Sequence, residues 1–355
     1  MAAGKWEAVI EPSGTLGQRA VHLLDSITND LLDSPVLDSA LFLACRGEAE
    51  QNPLWIKRAI EHLNTAISGA DALYSTRDFR LFGGLSGLGW VVEHLMQQVN
   101  RLRGSKGRAM NGLNGDTDAA LLLELQRGRW RGSCGLASGL TGIGCYFLKR
   151  LPDPKARLGL ELVLGHLQEA GPPASFLDGN SGVADGVAGV VYVLSEAAAA
   201  GFGSTGTRSL FTACEEKLLQ SEEGSDKSCF WWNGALGIAA VGLRSSRATA
   251  MQPMLERRLE CAPAGDASLP RGAAGAAHMW GRVYASTGDQ RYREAALAWW
   301  KDAISCAETT TPAALAAGVG FLEGSAGFGL ALSAALTPVE PKWDAVLALS
   351  PSTAS

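Results

Sequence analysis

Residues 181–190 read SGVADGVAGV, in which Gly186 and Gly189 stand three apart at the front of an apolar run. The arrangement recurs five more times: FGGLSGLGWVV from Phe82, ASGLTGIGCYF from Ala137, WNGALGIAAVG from Trp232, PRGAAGAAHMW from Pro270 and LEGSAGFGLAL from Leu322. The first glycines are Gly84, Gly139, Gly186, Gly234, Gly272 and Gly324, and their partners Gly87, Gly142, Gly189, Gly237, Gly275 and Gly327. Intervals of 55, 47, 48, 38 and 52 residues leave room for two helices and two loops in each unit. Self-similarity on this scale marks a repeat architecture.

After each glycine pair comes a run of apolar and small residues long enough for a buried helix, such as Val187 to Leu194. Between motifs lie more amphipathic segments, at Asp118 to Gln126, Lys155 to Glu169, Arg208 to Gln220, Met251 to Glu260 and Asp289 to Ile304. In the last, Tyr292, Ala295, Ala296, Trp299, Trp300 and Ala303 form one stripe, with Arg291, Glu294, Lys301 and Asp302 largely off it. Each unit therefore reads as a polar outer helix followed by an apolar inner one. An open solenoid needs polar end units, yet the first and sixth motifs are as apolar as the others. A closed ring of helix pairs is expected, one domain over residues 1–355, with lead-in helices at about 17–33, 37–46 and 53–69 and a frayed tail from Ser350.

Composition agrees with an all-helical protein: 46% hydrophobic and 19% charged residues. A net charge of −5 supplies no field for nucleic acid, and the basic stretch Arg127 to Arg131 is short and reads as a solvated loop. The N-terminus lacks signal-peptide order and no run is long enough to span a bilayer, so a cytoplasmic protein is expected. The seven cysteines are scattered singly, as reduced thiols would be. His22, His62, His94 and His166 fall on helical segments without metal-like spacing.

If the inner helices start at the motif, the residue before each first glycine faces a common mouth: Gly83, Ser138, Asp185, Asn233, Arg271 and Glu323. Helix N-termini carry free N–H groups and partial positive charge, which suits anionic or carbonyl-bearing ligands.

The six-motif pattern, with SGVADGVAGV and FLEGSAGFGLAL above all, resembles the lanthionine synthetase C-like proteins, whose cyclases close thioether rings in ribosomally made peptides. The resemblance covers nearly all the chain after about residue 35 and implies a double layer of helices, an (α/α)6 toroid. It also implies where zinc ligands would stand, a cysteine in W-C-x-G and a Cys-His pair in C-H-G. Here those positions hold Trp232, Pro270 and Arg271. Asp185 replaces the catalytic histidine of the family's A-H-G, and Gly135 stands near the position of an acidic residue. No zinc in the family position and no other cofactor is expected, although Cys229, Cys261 and His278 leave a displaced metal site open.

Three functional readings follow. The first is a zinc-free family member that binds a modified precursor peptide or a dehydratase-type maturation enzyme, with Ser138, Trp232, Asn233 and Glu323 in contact with it. The second is a metal-independent cyclase in which Arg271 stabilises a thiolate or developing enolate and Asp185, its pKa raised by burial, moves protons; an ion-pair network of Arg271, Asp185 and Glu323 is its structural counterpart. The third is a carbohydrate-active enzyme, with a carboxylate pair from Asp178, Asp185 and Glu323 and stacking on Trp231, Trp232 and Trp280.

Overall fold

The computed structural model describes residues 5–102, 112–173, 180–220, 228–245, 248–261, 266–309 and 318–351. Asp178 lies outside them, as does most of the glycine-rich stretch from Gly104 to Gly115. The α-helices are α1 Thr15–Leu32, α2 Leu37–Ala49, α3 Pro53–Ser68, α4 Asp71–Thr76, α5 Leu85–Leu102, α6 Gly115–Leu125, α7 Leu140–Arg150, α8 Pro154–Ala170, α9 Val187–Ala199, α10 Thr205–Gln220, α11 Ala235–Gly242, α12 Gln252–Arg258, α13 Ala273–Thr287, α14 Gln290–Thr309 and α15 Ser325–Leu336. Among the described residues there is no strand.

The chain forms two compact units interleaved in sequence. One comprises Met1–Gly69, Ser228–Trp231 and Leu255–Trp343; the other comprises Ala70–Lys227, Trp232–Met254 and Asp344–Ser355. In the second unit the motif helices pack in order, α5 on α7, α7 on α9 and α9 on α11, while α6, α8 and α10 lie behind them. Every residue of α7 and α11 is buried, as an inner layer requires. In the first unit α15 packs against α13 and also against α2, and α1 packs on α14 and α15. Here the structure adds to the repeat count. α2 is a further helix of the buried row, with Ser39 through Ala44 inaccessible, yet it carries no glycine pair.

The loops before the helices explain the motif. The first helical N–H donates to the carbonyl seven residues upstream in five of the six: Leu85 to Asp78 (2.7 Å), Leu140 to Ser133 (2.9 Å), Val187 to Asn180 (3.0 Å), Ala273 to Asp266 (2.6 Å) and Ser325 to Gly318 (3.1 Å). The loop thus curls back and caps its own helix. The free first N–H expected from the sequence is therefore already satisfied in these five, a correction to the reading of the helix ends as open anion sites. The curled loop leaves no room for side chains: a Cβ on the second glycine would lie 2.0 Å from Leu81 O at Gly87, 1.8 Å from Leu269 O at Gly275 and 1.7 Å from Phe321 O at Gly327. The first glycines cap in extended backbone, as at Gly139 (φ −143°) and Gly272 (φ −116°), so crowding rather than left-handed φ demands glycine there.

Neighbouring loops are also joined by backbone. Leu81 N–H donates to Ala137 O (3.2 Å), Ala137 N–H to Ala184 O (2.7 Å), and Val183 and Ala184 N–H to Trp232 O (3.1 and 3.2 Å). In the other unit Leu269 N–H donates to Leu322 O at 3.2 Å. The next donor in that series, Phe321 N–H, faces α2, which has no motif loop, and bonds instead to Asp38 Oδ2 at 2.9 Å. A carboxylate thus takes the place of the missing carbonyl, although burial pushes its pKa above the ordinary carboxylate range.

Candidate functional site

In four of the six loops, a short polar side chain six residues before the first glycine folds the loop back on itself. Asp78, Ser133, Asn180 and Asp266 accept from the N–H two residues on, at 3.2, 3.1, 2.8 and 2.8 Å. These Asx- and Ser-type turns set up the carbonyl that caps the helix. The signal is legible in the sequence as Asp, Ser or Asn followed six residues later by G-x-x-G, and an alignment on the glycines alone misses it.

Within each loop the position before the first glycine lies at the surface, while that glycine and the residue two positions earlier are buried. Gly83, Ser138, Asn233, Arg271 and Glu323 are exposed and Asp185 is half-buried, whereas Leu81, Leu136, Val183, Trp231, Leu269 and Phe321, two residues earlier, are all buried. The backbone thus hides one side chain and presents another two residues later. Gly83 needs glycine for a different reason from the motif pair, its φ of +83° lying in the left-handed region.

Ser138, Asp185, Trp232 and Asn233 belong to one unit, and the backbone bonds above bring their loops together. Ser138 Oγ donates to Asp185 Oδ1 at 2.7 Å and stands 3.3 Å from Ser133 Oγ. A Cβ on Gly135 would meet Asp185 Oδ1 at 2.5 Å. The two departures from the family pattern are therefore linked, because the Asp185 carboxylate fills the room that a side chain at 135 would need. The deep burial that the cyclase reading needs at Asp185 is absent, since the residue is half-exposed and accepts from Ser138. Trp232 is half-exposed and its carbonyl takes two N–H bonds, while Trp231 is buried. Arg271 and Glu323 lie in the other unit, both exposed.

The nearby thiol Cys134 is buried, and desolvation pushes its pKa up to about 11, which makes it a packing group rather than a nucleophile. Trp280, proposed above for sugar stacking, is fully buried against Tyr292 at 5.4 Å between ring centroids, so it offers no face to a ligand. His278 is sandwiched by Trp343 (5.0 Å) and Trp6 (5.7 Å). Among the described residues no three His, Cys, Asp or Glu side chains come together as a metal-binding group.

The family model for lanthionine synthetase C-like proteins matches residues 37–348, which takes in α2 and all six motif helices. The chain belongs to the lanthionine synthetase C-like family. No curated protein sequence matches it. Among solved structures it resembles nisin cyclase, with a TM-score of 0.65 at 16% identity over 88% of this chain and 90% of that one. That likeness speaks for the fold, and it agrees with the all-α toroid class read from the repeats. As a lanthionine synthetase C-like chain, this protein is measured against the zinc of the family's cyclases. Zinc takes thiolate, imidazole or carboxylate donors, and the corresponding positions offer an indole, a pyrrolidine and a guanidinium, none with a lone pair to give. The residues present do not fit the ion.

Proposed function

We propose that this lanthionine synthetase C-like protein acts in lanthipeptide-type maturation as a zinc-free binding member, holding a modified precursor peptide or the maturation enzyme that carries it. The observation behind this reading is the replacement of all three donor positions by Trp232, Pro270 and Arg271, while the glycines that follow, Gly234 and Gly272, still cap their helices. Arg271 directly precedes Gly272, which still caps α13 in extended backbone. What the site offers instead is suited to binding. Ser138 and Asp185 form a surface hydrogen-bonding pair, Asn233 adds an exposed amide, and the half-exposed Trp232 ring supplies an apolar face with little conformational entropy to lose. In the other unit, taken by itself, Glu323 and Arg271 are exposed charges. The seven cysteines, none of them in a disulfide, suit a reducing, cytoplasmic setting.

The test is calorimetric titration of the zinc-depleted protein with a dehydrated, leader-bearing precursor peptide and with its unmodified form. Binding without metal is expected, and Trp232→Ala should weaken it by about tenfold or more, as loss of an aromatic anchor does. No affinity for any such peptide or partner, or one zinc per purified chain by mass spectrometry, defeats the reading. Thioether formation by the metal-free protein that disappears in Arg271→Ala would replace it with the metal-independent cyclase.

A further inference from the structure

Cys229 and Cys261 are thirty-two positions apart in sequence and meet at a single carbonyl. The Cys229 thiol donates to Arg258 O at 3.9 Å, and the Cys261 N–H donates to the same oxygen at 3.0 Å. The two sulfurs are within hydrogen-bonding reach of each other. Neither cysteine is in a disulfide, and among the described residues no third His, Cys, Asp or Glu joins them as a metal-binding group. The arrangement is therefore a dithiol. Cys145 and Cys306 also direct their thiols at oxygen atoms, Ala345 O and Asp302 Oδ2.

We propose that Cys229 and Cys261 form a thiol–disulfide exchange site that closes into an intramolecular disulfide with a small disulfide oxidant of the glutathione type. Their accessibilities assign the roles. Cys261 is half-exposed at the end of the turn after α12 and is the sulfur an oxidant reaches, whereas Cys229 is 2% exposed. Cys261, as thiolate, attacks one sulfur of oxidised glutathione; the S–S bond breaks and one glutathione leaves, taking up a proton. Cys229 then gives its proton to solvent and attacks the Cys261 sulfur of the mixed disulfide, expelling the second glutathione. Two protein thiols lose two electrons and one oxidised glutathione becomes two reduced ones. Burial and the neighbouring sulfur push the Cys229 pKa up, which makes it the resolving partner and leaves the first attack to Cys261. The crosslink would tie the segment leading into the fourth motif, Ser228–Trp231, to the end of α12.

The experiment incubates the folded full-length protein with oxidised glutathione, blocks the remaining thiols with an alkylating agent and maps peptides without reduction. The expected result is a Cys229–Cys261 linked peptide, no retained glutathione, five alkylated cysteines, and reversal by dithiothreitol. Cys229→Ala should trap one glutathione on Cys261, and Cys261→Ala should leave Cys229 unreacted. A wild-type protein that keeps glutathione on Cys261, that pairs either cysteine with another, or that shows all seven thiols alkylated after a treatment that oxidises a control dithiol, would overturn the proposal.

Discussion

Gly275 and Arg271 are four residues apart and bear opposite relations to stability. A Cβ at Gly275 would sit 1.8 Å from Leu269 O, a backbone atom that cannot move without breaking the loop that caps α13. Gly275→Ala should therefore cost on the order of 3 kcal/mol or more in urea unfolding, as overpacking against backbone does. Arg271→Ala, at an exposed position, should change stability by no more than about 0.5 kcal/mol. Equal effects from the two substitutions would show that the glycine pair is not a steric requirement. His62 gives a pH test at the same scale. It is 5% exposed, shares a 2.8 Å hydrogen bond with Ser39 Oγ, and is held below the ordinary histidine pKa by burial, against the opposing pull of the Leu32 backbone. The unfolded chain takes up a proton near pH 6.5 while the folded one resists, so stability present above that pH is lost as pH falls towards the folded pKa. The stability gap between wild type and His62→Gln should narrow between pH 7 and 5; a constant gap would mean that the imidazole does not titrate differently on folding. The glycines were legible because a missing side chain repeats in the sequence. The carboxylate of Asp38 was not, because its partner is a backbone N–H 283 residues away.

At the scale of elements, a buried ion network fastens α5, α6, α7 and the start of α8. Arg150 reaches Asp118 at 2.8 Å, Glu93 at 2.9 Å and Asp153 at 3.3 Å, with Tyr146 Oη donating to Asp118 at 2.5 Å. Burial works against the guanidinium, but the hydrogen bonds to Asp118 and Glu93 outweigh it and its pKa stays raised. Asp153 also caps α8, accepting from Lys155 N–H at 2.8 Å next to Pro154 at the first helical position. Arg150→Ala would strand the Asp118 carboxylate, whose side chain is 1% exposed, and should cost about 3–5 kcal/mol. A loss below about 1 kcal/mol by chemical denaturation would show that the network is incidental. Helix placement itself was read well: segments expected at 17–33, 37–46 and 53–69 are Thr15–Leu32, Leu37–Ala49 and Pro53–Ser68. The segment Lys342–Leu347 escaped notice because it has no periodicity. It is a 3-10 turn, and Ala345 O accepts the Tyr192 hydroxyl proton at 3.0 Å.

For the molecule as a whole, the family match begins at residue 37, but the structure does not treat what precedes it as dispensable. α1 packs on α14 and α15, the Trp6 indole donates to Ala334 O at 3.1 Å, and Val9 and Ile10 N–H both reach Ala335 O at 2.9 Å. A chain trimmed to residues 37–355 should lose cooperative unfolding or precipitate, since the faces of α14 and α15 beneath α1 become exposed. A trimmed protein with an unchanged melting temperature would confine the fold to the matched region. Function was less legible than architecture for a physical reason. The residues that would carry it sit singly at loop tips, Ser138, Asp185, Trp232, Asn233, Arg271 and Glu323, where packing imposes no pattern on them. That freedom has a consequence for how such a protein changes. The glycine pairs and self-capping loops act as a row of sockets whose fit is independent of the tool each one holds. A cysteine, histidine, arginine or tryptophan can be exchanged in a socket without retooling the frame, so chemistry in this scaffold can be lost or gained one loop at a time while the fold persists.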